Sequence, residues 1–244
     1  MKITKELLKE KGACAAGYRD FLKEYPVDKY PDGVEYQELL DCCAEKDFSY
    51  GSWLLGAFGK TDEVRKIDGD LIVEKGIIFA GRLEVKGCIK AGGSIEAGWG
   101  IDVGGGIEAG NGIKAGNGIK AGLGIKAGWS IRAGDGIEAG WGIDVGGGIE
   151  AGLGIKAGYG IDAGWGIDAG NGIKAGNGIK AGLGIKAGWS IRAGDGIEAG
   201  DEFGIYAGLH FRITNKTQRK IIAKNRPENI MCGEFEEKKD DAVR

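Results

Sequence analysis

From Ile89 to about Asp201, apolar and polar positions follow one six-residue phrase, I-[KRDE]-[AV]-G-x-[GS], without interruption. Isoleucine returns at every sixth residue from Ile89 to Ile197. The next position is always charged, the third is Ala except at Val103 and Val145, and the fourth is always glycine. In an extended segment alternate side chains point to opposite sides. Each phrase therefore predicts a three-residue strand with Ile and Ala inward and the charge outward. The two small residues around the variable fifth position predict a corner at positive φ, which bulkier residues resist. Strand and corner in alternation build a coiled prism with backbone hydrogen bonds along its axis. Each unit is too small to bury a face alone, so the coils must stack.

The same frame is visible in degenerate form from Leu71. Leu71, Ile77 and Leu83 hold the first position, and Val73, Phe79 and Val85 the third, with Asp68-Gly69-Asp70 as the turn that admits the chain. At the far end Asp201-Glu202-Phe203-Gly204 adds two residues, Ile205 and Ala207 resume the phrase, and Phe211 and Ile213 replace the usual pair. Larger apolar residues at both ends suit terminal coils that are closed differently from the middle. Strands are expected over 219–224 and 229–235, covering the last edge, with a disordered charged tail over 236–244.

Before the repeat the pattern is helical. Thr4 is an N-cap for a helix over 5–11, stopped by Gly12. A second helix over 13–24 places Tyr18, Phe21 and Leu22 on one face and ends before Pro26. Pro31-Asp32-Gly33 is a turn. Helices over 34–46 and 49–58 carry Tyr36, Leu39, Leu40, Cys43, Trp53, Leu54, Leu55 and Phe58. The expected fold is α+β by segment: a helical head (1–60) packed within itself or against the open end of a β-solenoid (61–213), then a C-terminal cap and tail (214–244).

Coil length is not settled by the text. Three hexads per coil give an 18-residue rung, two give a flat coil of 12, and the signs of second-position charges favour neither clearly. Residues 111–140 and 171–200 are identical. Their offset is ten hexads, so a three-hexad coil would turn the copy by one face. A slip of one hexad replaces Ile with Ile, leaving the irregular ends to set register.

The phrase resembles the left-handed parallel β-helix of hexapeptide-repeat proteins, which pair an aliphatic residue with a small inward residue and place Gly or Asn at the turn. That resemblance implies three hexads per coil and left-handed winding. It also brings acyltransferases into view, whose catalytic base is a histidine. The only histidine is His210, beyond the regular coils and with no Cys–His or Ser–His–Asp set around it; a cap residue is expected, and no enzyme. The text of Leu7–Phe21 with Trp53-Leu54-Leu55 resembles a module of bacterial and phage repeat proteins.

Composition narrows the classes further. A net charge of −3 gives no footprint for nucleic acid or an anionic membrane. No apolar run approaches the roughly 18 residues of a membrane span, and Met1 leads directly into a charged helix. Five cysteines without a C-x-x-C spacing predict buried thiols in a reducing cytoplasm. The recurring G-x-G-x-x-G matches arise from the period and open no helix, so no nucleotide cofactor is expected. Stacked carboxylates (Asp144 with Asp162, Glu150 with Asp168) and a basic column (Lys156, Lys174, Arg192) read as solvated surface charge, with no metal. Chemistry varies only at the fifth position, where Trp99, Trp129, Trp141, Tyr159, Trp165, Trp189, Leu123, Leu153 and Leu183 stand among Asn, Asp and Gly. An 18-residue rung aligns Leu123, Trp141 and Tyr159 on one corner and Trp165 with Leu183 on another. Such ridges suit a protein interface, and equally suit packing over neighbouring glycines. The expected function is a protein-binding scaffold without cofactors, a homo-oligomer with a dimer favoured. In a phage this would be an anti-CRISPR-like protein that blocks a host complex sterically. The rival readings are a bactofilin-like polymer and an acyltransferase.

Overall fold

The computed structural model describes residues 1–209 and 216–238. His210, Phe211 and Ile213 lie outside the described residues.

Four helices form the head. Helix α1 (Lys5–Glu10) is capped by Thr4, whose hydroxyl accepts from Leu7 N–H at 3.3 Å. Helix α2 (Ala15–Glu24) starts two residues later than the pattern suggests, with Cys14 Sγ accepting from Gly17 N–H at 3.3 Å. Helix α3 (Tyr36–Lys46) also starts late, because Val34–Glu35 pairs antiparallel with Lys2–Ile3. Gly33 makes that pairing possible: its φ is +85°, and a Cβ there would lie 2.5 Å from the Ile3 carbonyl oxygen. Helix α4 (Phe48–Phe58) is capped by the Asp47 carboxylate, which accepts from Ser49 N–H at 3.0 Å. Ile3, Leu8, Phe21, Tyr36, Leu40 and Leu54 pack together as the core of this unit.

The head is joined to the side of the solenoid, not to its open end. Ile78 and Ala80 belong to the head's core although they lie on a solenoid strand and the corner after it. The Gln37 side-chain amide clamps that strand, donating to Ile78 C=O at 2.7 Å and accepting from Ala80 N–H at 3.1 Å. The inward residues at the solenoid's N-terminal end, Ile67, Leu71 and Val73, remain only partly buried. An axial plug is therefore ruled out, because the outward apolar residue Ile78 supplies a lateral docking site instead.

The solenoid is a three-faced parallel β-prism. The first face has ten strands and starts at Val64–Ile67, the second has eight from Leu71–Val73, and the third has nine from Ile77–Phe79. Strands pair in parallel with partners 18 residues away, as Ile107 with Ile89 and Ile125. This register removes the flat two-hexad coil and gives about nine turns. Every phrase isoleucine from Ile89 to Ile197 is buried, and with the third-position residues they form one continuous core. Burying each isoleucine contributes roughly 1.5–3 kcal/mol.

The identical segments land on different faces: Ile113–Ala115 is on the third and Ile173–Ala175 on the first. The chain enters the ladder one strand before the Asp68-Gly69-Asp70 turn, since Val64–Ile67 already pairs with Arg82–Val85. At the C-terminal end Lys220–Ala223, Ile230–Cys232 and Glu234–Glu237 pair in parallel as further rungs, so the ladder reaches Glu237.

The corners are not built on positive φ. That conformation occurs among the described residues at Gly12, Gly33, Gly59, Gly208 and Gly233, all outside the regular hexads. The glycines serve close stacking instead. A Cβ on fourth-position Gly110 would lie 2.1 Å from the Gly92 carbonyl oxygen one coil earlier. At sixth-position Gly112 the nearest atom, Ser130 O, would be 3.1 Å away. Hence the fourth position is invariant, whereas the sixth admits Ser94, Ser130 and Ser190. Corner backbones stay in the ladder as well, with Trp141 N–H donating to Leu123 C=O at 3.2 Å.

Candidate interaction surface

Because the register is 18 residues, every fifth-position side chain stands beside those one coil before and after it. Leu123, Trp141 and Tyr159 occupy three successive rungs on the corner between the first and second faces. Trp141 is 54% exposed and Tyr159 55%. The corner between the second and third faces carries Trp129 (71% exposed), Gly147, Trp165 (61%) and then Leu183. Phe203 extends this second ridge by one coil. The two-residue insertion is absorbed at the corner, leaving Ile185 paired with Ile205. The sequence pattern missed Phe203 because the insertion shifts it out of the six-residue count.

The third corner is different. Trp99 is half-buried, donates from Nε1 to the Thr61 carbonyl at 2.9 Å, and lies 3.2 Å from Lys60 Nζ across its ring face. It fastens the head's exit strand to the solenoid. Trp189 stands five coils further along the same corner, beyond Leu153 and Asn171. The identical segments thus place Trp129 and its copy Trp189 on different corners.

Charge is arranged in columns. On the third face Lys114 reaches Glu96 at 2.6 Å and Arg132 reaches Glu150 at 2.7 Å. Glu96 is the one buried charged residue among those described, and it also accepts from the Ser52 hydroxyl of α4. On the first face Lys156 reaches Glu138 at 2.7 Å and holds that carboxyl below its usual range by hydrogen bonding. Lys156, Lys174 and Arg192 are adjacent in register there. Asp144 pairs in register with Asp162, and Glu150 with Asp168. Among the described residues no group of three or more His, Cys, Asp and Glu side chains converges as a metal site.

Two long troughs follow from the sixth-position glycines, which leave a channel between each corner ridge and the charged column beside it. On the second face the trough has a volume of about 1030 Å³ and runs from Asp70 to Glu198. On the first face it has about 880 Å³ and is bordered by Trp99 and Lys174. A third cavity, about 530 Å³, lies inside the head between Leu8, Phe21, Leu39, Leu54 and Cys43. Burial pushes the Cys43 thiol up to about 12, so it is neutral at physiological pH and a poor nucleophile. The five cysteines are free, but they are not buried as expected. Cys14 and Cys88 are exposed and the others half-exposed: Cys14 caps α2, Cys42 and Cys43 lie on α3, and Cys88 stands at a sixth position of the solenoid.

No described helix is long and apolar enough to cross a membrane. No protein-family model, curated protein sequence or solved structure matches this chain.

Proposed function

We propose that this protein is a non-enzymatic interaction scaffold: a rigid rod that presents its aromatic corners to another protein surface. The observation that carries this reading is the display of Trp129, Trp141, Tyr159 and Trp165 at more than half exposure on a hydrogen-bonded framework. Large aromatics on a rigid backbone lose little conformational freedom on binding and dominate interface hot spots. The troughs lie beside these ridges and are lined by the phrase isoleucines, glycine backbone and surface charge. Steric blocking of a host complex, as an anti-CRISPR-like protein would perform it, is the finer form of the same reading and uses the same surface.

A photo-crosslinking side chain at Tyr159 or Trp165, compared with one at Lys174 on the first face, tests the proposal in cells. Protein adducts concentrated at the two ridge positions are expected. Equal or absent adducts at all three positions would remove it.

A further inference from the structure

The second face has a symmetry that the sequence does not display. After Ile72 its outward column reads, coil by coil, Lys90, Glu108, Lys126, Asp144, Asp162, Lys180, Glu198. About Asp144 this column is antisymmetric: Lys126 opposes Asp162, Glu108 opposes Lys180, and Lys90 opposes Glu198. Three successive positions of each bordering ridge are centred on the same coil, with Leu183 and Phe203 continuing the second ridge beyond them. Trp141 lies between Leu123 and Tyr159 on one side, and Gly147 lies between Trp129 and Trp165 on the other.

Ion pairing inside the chain follows the same division. Lys90 pairs with Glu108 at 3.4 Å, and Lys180 with Glu198 at 3.4 Å. The central Lys126, Asp144 and Asp162 are exposed and make no salt bridge among the described residues.

We infer that the second face binds a second copy of this chain, antiparallel, about a two-fold axis through the coil of Trp141, Asp144 and Gly147. This rests on the scaffold reading and names its occupant. In that arrangement Lys126 meets the other copy's Asp162, Leu123 lies against Tyr159, and Trp129 against Trp165, each twice by symmetry.

The other faces are less suited to it. The third face also has an antisymmetric column, from Glu96 to Lys186, but the head stands on it: Ile78 is 0% and Glu96 4% exposed. On the first face a register centred between Lys120 and Glu138 opposes three charge pairs, but it sets Lys66 against Arg192, and its carboxylates Glu84, Asp102 and Glu138 are already paired within the chain with Lys66, Arg82 and Lys156. Every outward residue of the second face, from Ile72 to Glu198, is exposed.

At ~4.8 Å per rung, seven rungs and one face width give on the order of 600 Å² per copy, or about 1,200 Å² in total, the lower end of specific interfaces. The whole face is therefore needed, and affinity depends on charge register. The one like-charge meeting is Asp144 with its own copy on the axis, so neutralising it strengthens the dimer.

Sedimentation equilibrium on the full chain, with circular dichroism to confirm folding, tests this. A monomer–dimer equilibrium is expected. Trp141→Ser and Lys126→Glu each weaken it at least about tenfold. The double exchange Lys126→Glu with Asp162→Lys returns it to within about threefold of the original. Asp144→Asn tightens it. A chain that stays monomeric to about 0.5 mM, or a dimer indifferent to all four variants, overturns the inference. Such a monomer that still forms ridge-specific adducts with another protein leaves the scaffold reading standing, whereas loss of the adducts as well removes both.

Discussion

A methyl group on Gly140 would lie 1.9 Å from the carbonyl oxygen of Gly122, one coil earlier, while one on Gly142 would lie 3.3 Å from the oxygen of Gly160. Two glycines separated by one residue therefore have unequal roles. Gly140→Ala must push two hydrogen-bonded rungs apart, and the expected loss is about 3 kcal/mol or more, at the upper end of overpacking costs. Gly142→Ala is expected to cost less than about 1 kcal/mol, since serine already occupies equivalent positions. Thermal or denaturant unfolding of the two variants compares them directly.

The isoleucine column, the inward alanines and the outward charges are legible in the sequence because strand periodicity states them directly. The reason for glycine is not. Positive φ and close coil stacking select the same residue, and only the second needs three-dimensional register to be seen. Coil length was also hidden, since a phrase repeated without variation fits several registers equally. Lys2–Ile3 and Val34–Glu35 are too short to show a period, so their pairing emerges only once Gly33 turns the chain. The position of the head depends on Ile78, one apolar residue at an outward position, which reads in sequence as mere degeneracy. The corner ridges were legible from 18-residue spacing. Their common centre on the second face was not, because it relates three columns that no local window contains.

Gln37 tests how the head is held. Its amide supplies both a donor and an acceptor to the backbone around Ile78. Gln37→Leu removes both and leaves backbone groups under the head without those partners, at an expected cost of about 1–3 kcal/mol. Hydrogen exchange should rise at α3, α4 and residues 77–80, with the central rungs unchanged. Uniform acceleration through the solenoid would show that the clamp supports the whole ladder.

The Glu138–Lys156 pair gives a pH dependence of definite sign. The hydrogen bond from Lys156 lowers the native pKa of Glu138. Its contribution is then present above the unfolded-state value of about 4.3 and lost as pH falls through the depressed native value. Exposure to solvent limits it to a few tenths of a kcal/mol. A carbon-detected NMR titration should find Glu138 below the ordinary carboxylate range, and Lys156→Gln should return it there. An unchanged titration in the variant would assign the shift to another cause.

Glu96 and Lys114 make the contrasting case, because one end of this ion pair is buried. The Glu96 side chain is 5% exposed against 54% for Lys114, and it also accepts from Ser52 on α4. It links the head to the third face while Lys114 supplies the counter-charge from the next coil. Lys114→Met leaves that carboxylate buried with only a neutral donor, for which the expected loss is about 3 kcal/mol. The same change at exposed Lys156 should cost less than about 1 kcal/mol. Glu96→Gln removes the charge yet keeps an acceptor for Ser52, so the Lys114→Met/Glu96→Gln double variant should be more stable than Lys114→Met alone. A double-mutant cycle by denaturant unfolding measures that coupling, and additive losses would mean that water rather than Lys114 compensates the carboxylate.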